Sequence, residues 1–209
     1  MTSDPEYEAT SRAKRQYDSG NPAGAVKTLE DYLKTDPHNC KVRLQLAQYY
    51  IYGVDNFEYG LMQLDIILDI DPTYEDALLA RVAATSKYKK YNKETDELFN
   101  KIIESNPSAA VYNAYGRFLR NQMLDFKKAA EYYEKAIALE PNRYEYHQNY
   151  CALLLNDLKD YVKAKEELEI AMRLKPDDKM LKDNYNRLMT EKFDSNGNLK
   201  KGRFSFLKR

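Results

Sequence analysis

Several features that mark other classes of protein are missing from this sequence of 209 residues. No run approaches the ~18 consecutive apolar residues of a membrane-spanning helix, so no membrane span is expected. The first residues, MTSDPEYEATSRAKRQY, lack the apolar centre of a secretion signal. Lysine and arginine together number 33, as do aspartate and glutamate, so no charge excess points to nucleic acid or to a membrane surface.

Motifs of catalysis and of metal binding are also missing. There is no phosphate loop ending in Gly-Lys-Ser/Thr, no His-Glu-x-x-His and no Cys-x-x-Cys. His147 and Cys151 could supply two ligands to a soft divalent ion, but no neighbouring cluster supplies a third and a fourth. The stretch DSNGNL resembles a calcium loop, yet Gly197 is at its fourth position rather than the sixth, so a turn is the better interpretation. No cofactor and no catalytic site are therefore expected.

The clearest pattern in the chain runs from residue 111 to residue 141. In VYNAYGRFLRNQ, Tyr112, Tyr115 and Leu119 are spaced like one face of an α-helix, with Gly116 on the same side. FKKAAEYYEKAIALEP carries a second stripe of large and small residues: Phe126, Ala129, Tyr133, Ala136 and Ile137. The small residues let two helices approach closely, so the segment predicts an antiparallel helix pair that ends at Pro141.

The helix pair is repeated along the chain. Prolines that close each copy are separated by 35, 35, 34 and 35 residues, at Pro37, Pro72, Pro107, Pro141 and Pro176. The chain resembles the tetratricopeptide repeat (TPR) proteins over about residues 6–176. The residues that carry this resemblance in the best copy are Gly116, Phe126, Ala129, Tyr133, Ala136 and Pro141. It implies an all-α fold, a right-handed α-solenoid of about five helix-turn-helix units with a C-terminal capping helix.

The repeat also predicts the domain organisation. A polar lead, 1–5, precedes an array over 6–192, with copies at about 6–39, 40–74, 75–109, 110–142 and 143–176 and a capping helix at 178–192. The tail, 193–209, has five basic residues against Asp194, a net charge of +4, which leaves the remaining chain at −4. Cys40 and Cys151 are 111 positions apart in a linear stack, so a disulfide is not expected, and a reducing, cytoplasmic setting fits.

Two further interpretations concern the tyrosines and the tail. The sequence has nineteen tyrosines, and those on the apolar stripes are predicted to be core residues with their hydroxyl groups at the edge: Tyr115, Tyr132, Tyr133, Tyr150 and Tyr161. The end of the tail, GRFSFLKR, mixes basic and apolar residues. It is interpreted as a docking peptide or membrane-surface contact, as a frayed terminus, or as a segment that folds back on the acidic body.

In TPR proteins the first helices line a concave groove, and the resemblance implies the same here. The candidate partner-binding residues are Lys41, Gln45, Gln48 and Tyr52 in the second copy, Lys87 in the third, Asn113, Arg117, Arg120 and Asn121 in the fourth, and Gln148 in the fifth. Guanidinium groups beside amides suit a carboxylate or an acidic peptide segment.

One branch of the family grips the C-terminal carboxylate of chaperones with Lys, Asn and Arg side chains. The corresponding positions here are Thr10, Lys14, Gln45, Asp76 and Ala80. Only Lys14 is basic, so the usual carboxylate clamp is not expected.

The sequence thus predicts a non-catalytic protein-interaction module, or adaptor, that binds a peptide or helical segment of a partner protein in the groove. The alternatives are an accessory subunit of an enzyme or of a nucleic-acid complex, a co-chaperone without the usual clamp, and, last, a hydrolytic or metal enzyme.

Overall fold

The structure is a computed structural model that describes residues 4–86 and 88–200. In this part of the chain the regular elements are eleven α-helices, and the only β-pairing is an isolated bridge between Phe193 and Leu199. The helices are α1 Pro5–Asp18, α2 Pro22–Leu33, α3 Cys40–Tyr52, α4 Phe57–Ile70, α5 Glu75–Thr85, α6 Asn92–Ser105, α7 Ala109–Phe118, α8 Phe126–Leu139, α9 Tyr144–Leu153, α10 Tyr161–Leu174 and α11 Lys179–Lys192. The predicted all-α fold of paired helices is confirmed. The candidate residue Lys87 and the tail segment GRFSFLKR lie outside the described residues.

Most helices begin where an Asp or Asn side chain can accept a backbone N–H of the first turn. Asp4, Asn21 and Asn39 cap α1, α2 and α3 in this way, and Asp125, Asp160 and Asp178 cap α8, α10 and α11. These short polar side chains satisfy donors that have no partner inside the helix, so they fix where each helix starts.

The turn inside a helix pair has the same conformation in four of the five copies. A residue with positive φ stands there, at Gly20, Asp55, Leu124 and Lys159, and an Asn or Asp follows it. Before two of these turns the chain widens into one π-helical turn, over Leu119–Met123 after α7 and Leu154–Leu158 after α9. The third copy instead has a 3-10 turn, Lys89–Tyr91, between α5 and α6. The turns therefore vary among the copies, and such variation costs little because turns lie outside the packed faces.

The chain divides into two compact units, Met1–Ala114 and Tyr115–Arg209. In the first unit, small residues at 0% exposure allow neighbouring helices to approach: Ala13 on α1, Ala25 on α2 and Ala47 on α3. Leu29 and Leu46 fill the space between them. In the second unit the largest fully buried side chains are Tyr115, Tyr133, Tyr146, Phe118, Leu119 and Leu153. Each unit thus has its own core of alternating large and small side chains.

Gly60 lies at a close approach between α3 and α4. A Cβ atom built there would lie 2.3 Å from Ile51 Cγ1 and 3.0 Å from the Ala47 carbonyl oxygen. We expect Gly60→Ala to lower the free energy of unfolding by about 1–2 kcal/mol, because overpacking outweighs the gain in helix propensity. Urea unfolding followed by circular dichroism measures this. Met62→Ala, at an exposed position of α4, is the control and should stay within about 0.5 kcal/mol. A Gly60→Ala protein as stable as the wild type would show that the two helices separate without penalty.

Candidate partner-binding surfaces

In the first unit a shallow trough of about 430 Å³ lies between the first helices α1 and α3. We call it the α1–α3 trough; it is lined by Lys14, Tyr17, Asp18, Lys41, Leu44, Gln45, Gln48 and Tyr49. Three of the predicted partner-binding residues, Lys41, Gln45 and Gln48, are therefore brought together.

Two stacked tyrosine rings form the floor of this trough. The ring centroids of Tyr17 and Tyr49 are 4.3 Å apart and the rings are inclined by 12°. Gly53 makes room for them, since a Cβ atom there would lie 2.6 Å from the Tyr17 ring. The Tyr49 hydroxyl accepts a hydrogen bond of 2.7 Å from the Gln45 amide. The floor is thus a rigid aromatic surface with polar edges, which suits an apolar side chain of a ligand.

The charges on the trough are exposed and weakly held. Lys14 Nζ is 3.0 Å from an Asp18 carboxylate oxygen, and Lys41 Nζ is 2.7 Å from Glu6. The hydrogen bond from Lys41 lowers the pKa of Glu6 and raises the pKa of Lys41. Since the lysine side chains are 68% and 73% exposed, water screens both pairs, and a ligand carboxylate can replace the internal one. Tyr52, 63% exposed, ends α3 and is not among the residues that line the trough.

In the second unit the two predicted arginines differ in their surroundings. Arg120 Nε donates to Asp157 Oδ2 at 2.6 Å, and its Nη2 donates to the Ala152 carbonyl at 3.1 Å. Both side chains of the ion pair are only about a fifth exposed. Arg120 therefore joins the end of α7 to the end of α9, and it is not free for a ligand as the sequence suggested. Arg117 is half-buried, and no hydrogen bond or ion pair holds its guanidinium within the described part of the chain.

The remaining predicted residues of the second half of the chain also differ in how accessible they are to a ligand. Asn121 is exposed and Gln148 is half-buried on α9, so both can be reached. Asn113 is only 1% exposed. Its side chain is enclosed by protein in this structure, although the sequence predicts it as a contact for a ligand.

Sequence reasoning missed a second trough in this unit. It has a volume of about 320 Å³ and lies between the end of α9 and α11; we call it the α9–α11 trough. Asn156, Lys159, Asn184, Arg187 and Glu191 line it together with apolar residues. The apolar stripe with Leu181 and Leu188 predicts a capping helix at 178–192 but does not indicate a trough. The basic and amide residues beside that stripe are the feature of the sequence that could have indicated a binding surface.

The residues considered for metal binding have other partners. His147 Nδ1 is 2.6 Å from Glu167 Oε2, and Nε2 is 2.8 Å from the Pro141 carbonyl oxygen. The Cys151 thiol donates to the Ala164 carbonyl at 3.5 Å, and burial raises the pKa of Cys151 to about 12. Residues 4–86 and 88–200 contain no group of three or more His, Cys, Asp or Glu side chains arranged to hold a metal ion.

The stretch DSNGNL forms a turn. Asp194 Oδ1 accepts from the backbone N–H groups of Asn196 and Asn198, at 2.9 and 3.0 Å, and Gly197 has a φ of +78°. The carboxylate that a calcium loop would use is therefore engaged by its own backbone. Over the described residues, no helix combines the length and the apolar character that crossing a membrane requires.

Comparison with known proteins gives matches only among solved structures. No protein-family model and no curated protein sequence matches the chain. TTC0263, a thermophilic TPR protein of Thermus thermophilus, is 19% identical; the match covers 88% of this chain and 99% of that one, with a TM-score of 0.64. Yeast Tom70 is 20% identical with a TM-score of 0.66, over 80% of this chain and 36% of that one. MamA, residues 41 to the end, from Desulfovibrio magneticus RS-1 is 19% identical over 86% of this chain and 99% of that one, with a TM-score of 0.53.

Proposed function

The chain has the fold of the tetratricopeptide repeat proteins, and from this premise we propose that it is a non-catalytic adaptor. It binds a peptide or helical segment of a partner protein on the surfaces of its first helices. The observation that carries the proposal is the α1–α3 trough, in which a floor of stacked tyrosines lies beside two exposed lysines. An apolar anchor next to positive charge is what an acidic peptide with apolar side chains requires.

In the second unit, the same chemistry is supplied by Arg117 together with the exposed amide of Asn121. A guanidinium without an internal acceptor retains its bidentate geometry for a carboxylate. Gln148 and the α9–α11 trough extend the polar surface available in this unit. The two thiols, Cys40 and Cys151, are unpaired, which supports our placing the protein in the reducing cytoplasm.

Arg117→Glu is the variant that tests the second unit. With a fluorescein-labelled acidic peptide of alternating glutamate and leucine as the probe, we expect the dissociation constant to rise at least about tenfold, because a charge-assisted hydrogen bond contributes about 1.5–3 kcal/mol. Fluorescence anisotropy measures the affinity, and circular dichroism should show unchanged helix content. A probe affinity equal to that of the wild type would remove Arg117 from the binding surface.

Arg120→Glu is the matched comparison. It places a carboxylate beside Asp157, so its main effect should be a lower free energy of unfolding rather than a specific loss of probe binding. Lys14→Glu combined with Lys41→Glu tests the α1–α3 trough with the same probe, and here too at least about a tenfold weaker affinity is expected. If neither the Arg117 variant nor the lysine variant changes the affinity, the adaptor does not bind acidic segments on its first helices.

A further inference from the structure

A cleft of about 490 Å³ lies in the first unit, between the second helices α4 and α6. Its floor holds Arg81 of α5, whose side chain is 3% exposed. Arg81 Nη2 donates to Glu94 Oε1 at 2.7 Å, and Nε is 3.3 Å from Asp65 Oδ1 without the alignment of a hydrogen bond. We call this the α4–α6 cleft.

Three polar atoms at this floor are buried without a hydrogen-bond partner among the residues that the structure describes. Nη1 of Arg81 has no ion-pair partner within the described part of the chain either, whereas Nε of Arg81 and Oδ1 of Asp65 face each other at 3.3 Å as a poorly aligned ion pair. Native folds retain few buried polar groups that stay unpaired, because each of them has lost the hydrogen bonds that water would supply. Two N–H donors beside one carboxylate acceptor are the complement of a peptide group, which offers a carbonyl oxygen and an N–H.

The charges of the cleft select against an anion. Four carboxylates line it, those of Asp65, Asp69, Glu94 and Glu97, against the two cations Arg81 and Lys101. Burial raises the pKa of Asp65 although Arg81 lies beside it. A bound carboxylate or phosphate would meet this excess of negative charge, whereas a lysine or arginine side chain would be attracted to it.

The rim carboxylates are available to a ligand. Asp69 and Glu97 are both exposed. The only ion pair that the structure gives Glu97 in the described residues is with Lys93, at 3.6 Å, and the Lys93 side chain is 89% exposed. Water screens such a pair, so it contributes little and can be replaced. Leu68, Leu98 and Ile102 supply apolar wall beside these carboxylates.

We propose that the α4–α6 cleft is a second binding site, which takes a partner segment in which a lysine or arginine adjoins an apolar residue. A backbone amide of the segment pairs with Arg81 and Asp65, its basic side chain lies between Asp69 and Glu97, and its apolar side chain packs on Leu68 and Leu98. The site is on second helices and prefers positive charge, so it is distinct from the α1–α3 trough in both position and specificity. An adaptor with both sites holds an acidic and a basic segment at once.

The test uses the full chain and a labelled peptide, Gly-Leu-Arg-Leu-Lys-Gly, with blocked ends. The peptide with both basic residues replaced by glutamate is the matched probe. We expect Asp69→Asn combined with Glu97→Gln to weaken binding of the basic peptide at least about tenfold, and to change the affinity for the acidic peptide, which the first helices bind, less than about twofold. Glu104→Gln, at an exposed position of α6 outside the cleft, should change the affinity for the basic peptide less than about twofold.

The other outcomes overturn the proposal. Equal affinity of the Asp69→Asn, Glu97→Gln protein and the wild type would show that the peptide binds elsewhere. If Arg203→Ser combined with Lys208→Ser strengthens probe binding about tenfold, the tail of the chain is the occupant rather than a partner. If the wild type dimerises and the cleft variant does not, a second copy of the chain is the occupant.

Arg117→Glu should leave the affinity for the basic peptide unchanged, so failure of this site and failure of the adaptor proposal are distinguishable.

Discussion

Glu167→Ala is expected to lower the free energy of unfolding by about 3–5 kcal/mol, the loss typical of removing one partner of a buried ion pair. The side chains of His147 and Glu167 are 3% and 12% exposed, and they meet at 2.6 Å. The variant leaves the buried ring without its carboxylate, and burial then opposes the charge on the ring. Urea unfolding followed by circular dichroism measures the difference from the wild type.

Two matched variants test whether the lost stability comes from the ion pair between His147 and Glu167. Glu166→Ala removes the neighbouring exposed carboxylate and should change the free energy of unfolding by less than about 0.5 kcal/mol. His147→Leu combined with Glu167→Leu removes both charges and should be less destabilising than Glu167→Ala alone, because no unpaired charge stays buried. If Glu167→Ala is as mild as Glu166→Ala, the pair does not contribute to stability.

The same pair makes stability depend on pH. Burial of the ring opposes its charge, but the hydrogen bonds with Glu167 and with the Pro141 carbonyl outweigh it, so the pKa of His147 is raised. A raised pKa in the folded state means that the stabilisation is fully present below the pKa of the unfolded chain, about 6.5, and is lost as pH rises through the folded value. The difference in unfolding free energy between the wild type and His147→Gln should therefore shrink as pH rises above about 6.5. A difference that grows with pH would contradict a charged ring.

The fold could be predicted because its determinants are local and repeated. Each copy has small residues at helical spacing and a proline at its end, and these features predict a helix pair. Because the same features recur about every 35 residues, a helix pair is predicted for each copy. The same pattern predicted Tyr115, Tyr133 and Tyr150 as core residues, and they are 0%, 1% and 2% exposed. Tyr132 and Tyr161 are only half-buried, since they lie at the edge of the stripe.

The surfaces could be predicted less well, because they depend on contacts between copies. Asn113 lies off the visible apolar stripe of α7, yet it is buried, since a helix in a stack has neighbours on more than one side. The sequence predicts Arg120 as a contact for a ligand, whereas its side chain pairs with Asp157, 37 residues later in the next copy. The α4–α6 cleft likewise requires Arg81 to meet Asp65 and Glu94 from two other helices. No spacing rule within one copy gives such pairings.

A second stability test concerns the pairing of α7 with α8, where Gly116 lies against Tyr133. Tyr133 is 1% exposed, and a Cβ atom at Gly116 would lie 3.0 Å from two carbon atoms of its ring. We expect Tyr133→Ala to lower the free energy of unfolding by about 3–5 kcal/mol, because it leaves a cavity where a large ring filled the core. Glu131→Ala, at an exposed position of the same helix, is the control and should change it by less than about 0.5 kcal/mol.

The effect of Gly116→Ala then depends on whether the ring is present. Beside Tyr133 the added methyl group overpacks the interface, and a loss of about 1–2 kcal/mol is expected. In the Tyr133→Ala protein the methyl group enters the cavity and favours the helix, so the same substitution should be neutral or stabilising by up to about 1 kcal/mol. A double-mutant cycle from urea unfolding should therefore give a coupling of at least about 1 kcal/mol. Additive effects would mean that the cost of Gly116→Ala does not come from contact with the Tyr133 ring. The close approach of α7 to α8 would then not depend on this pair of large and small residues.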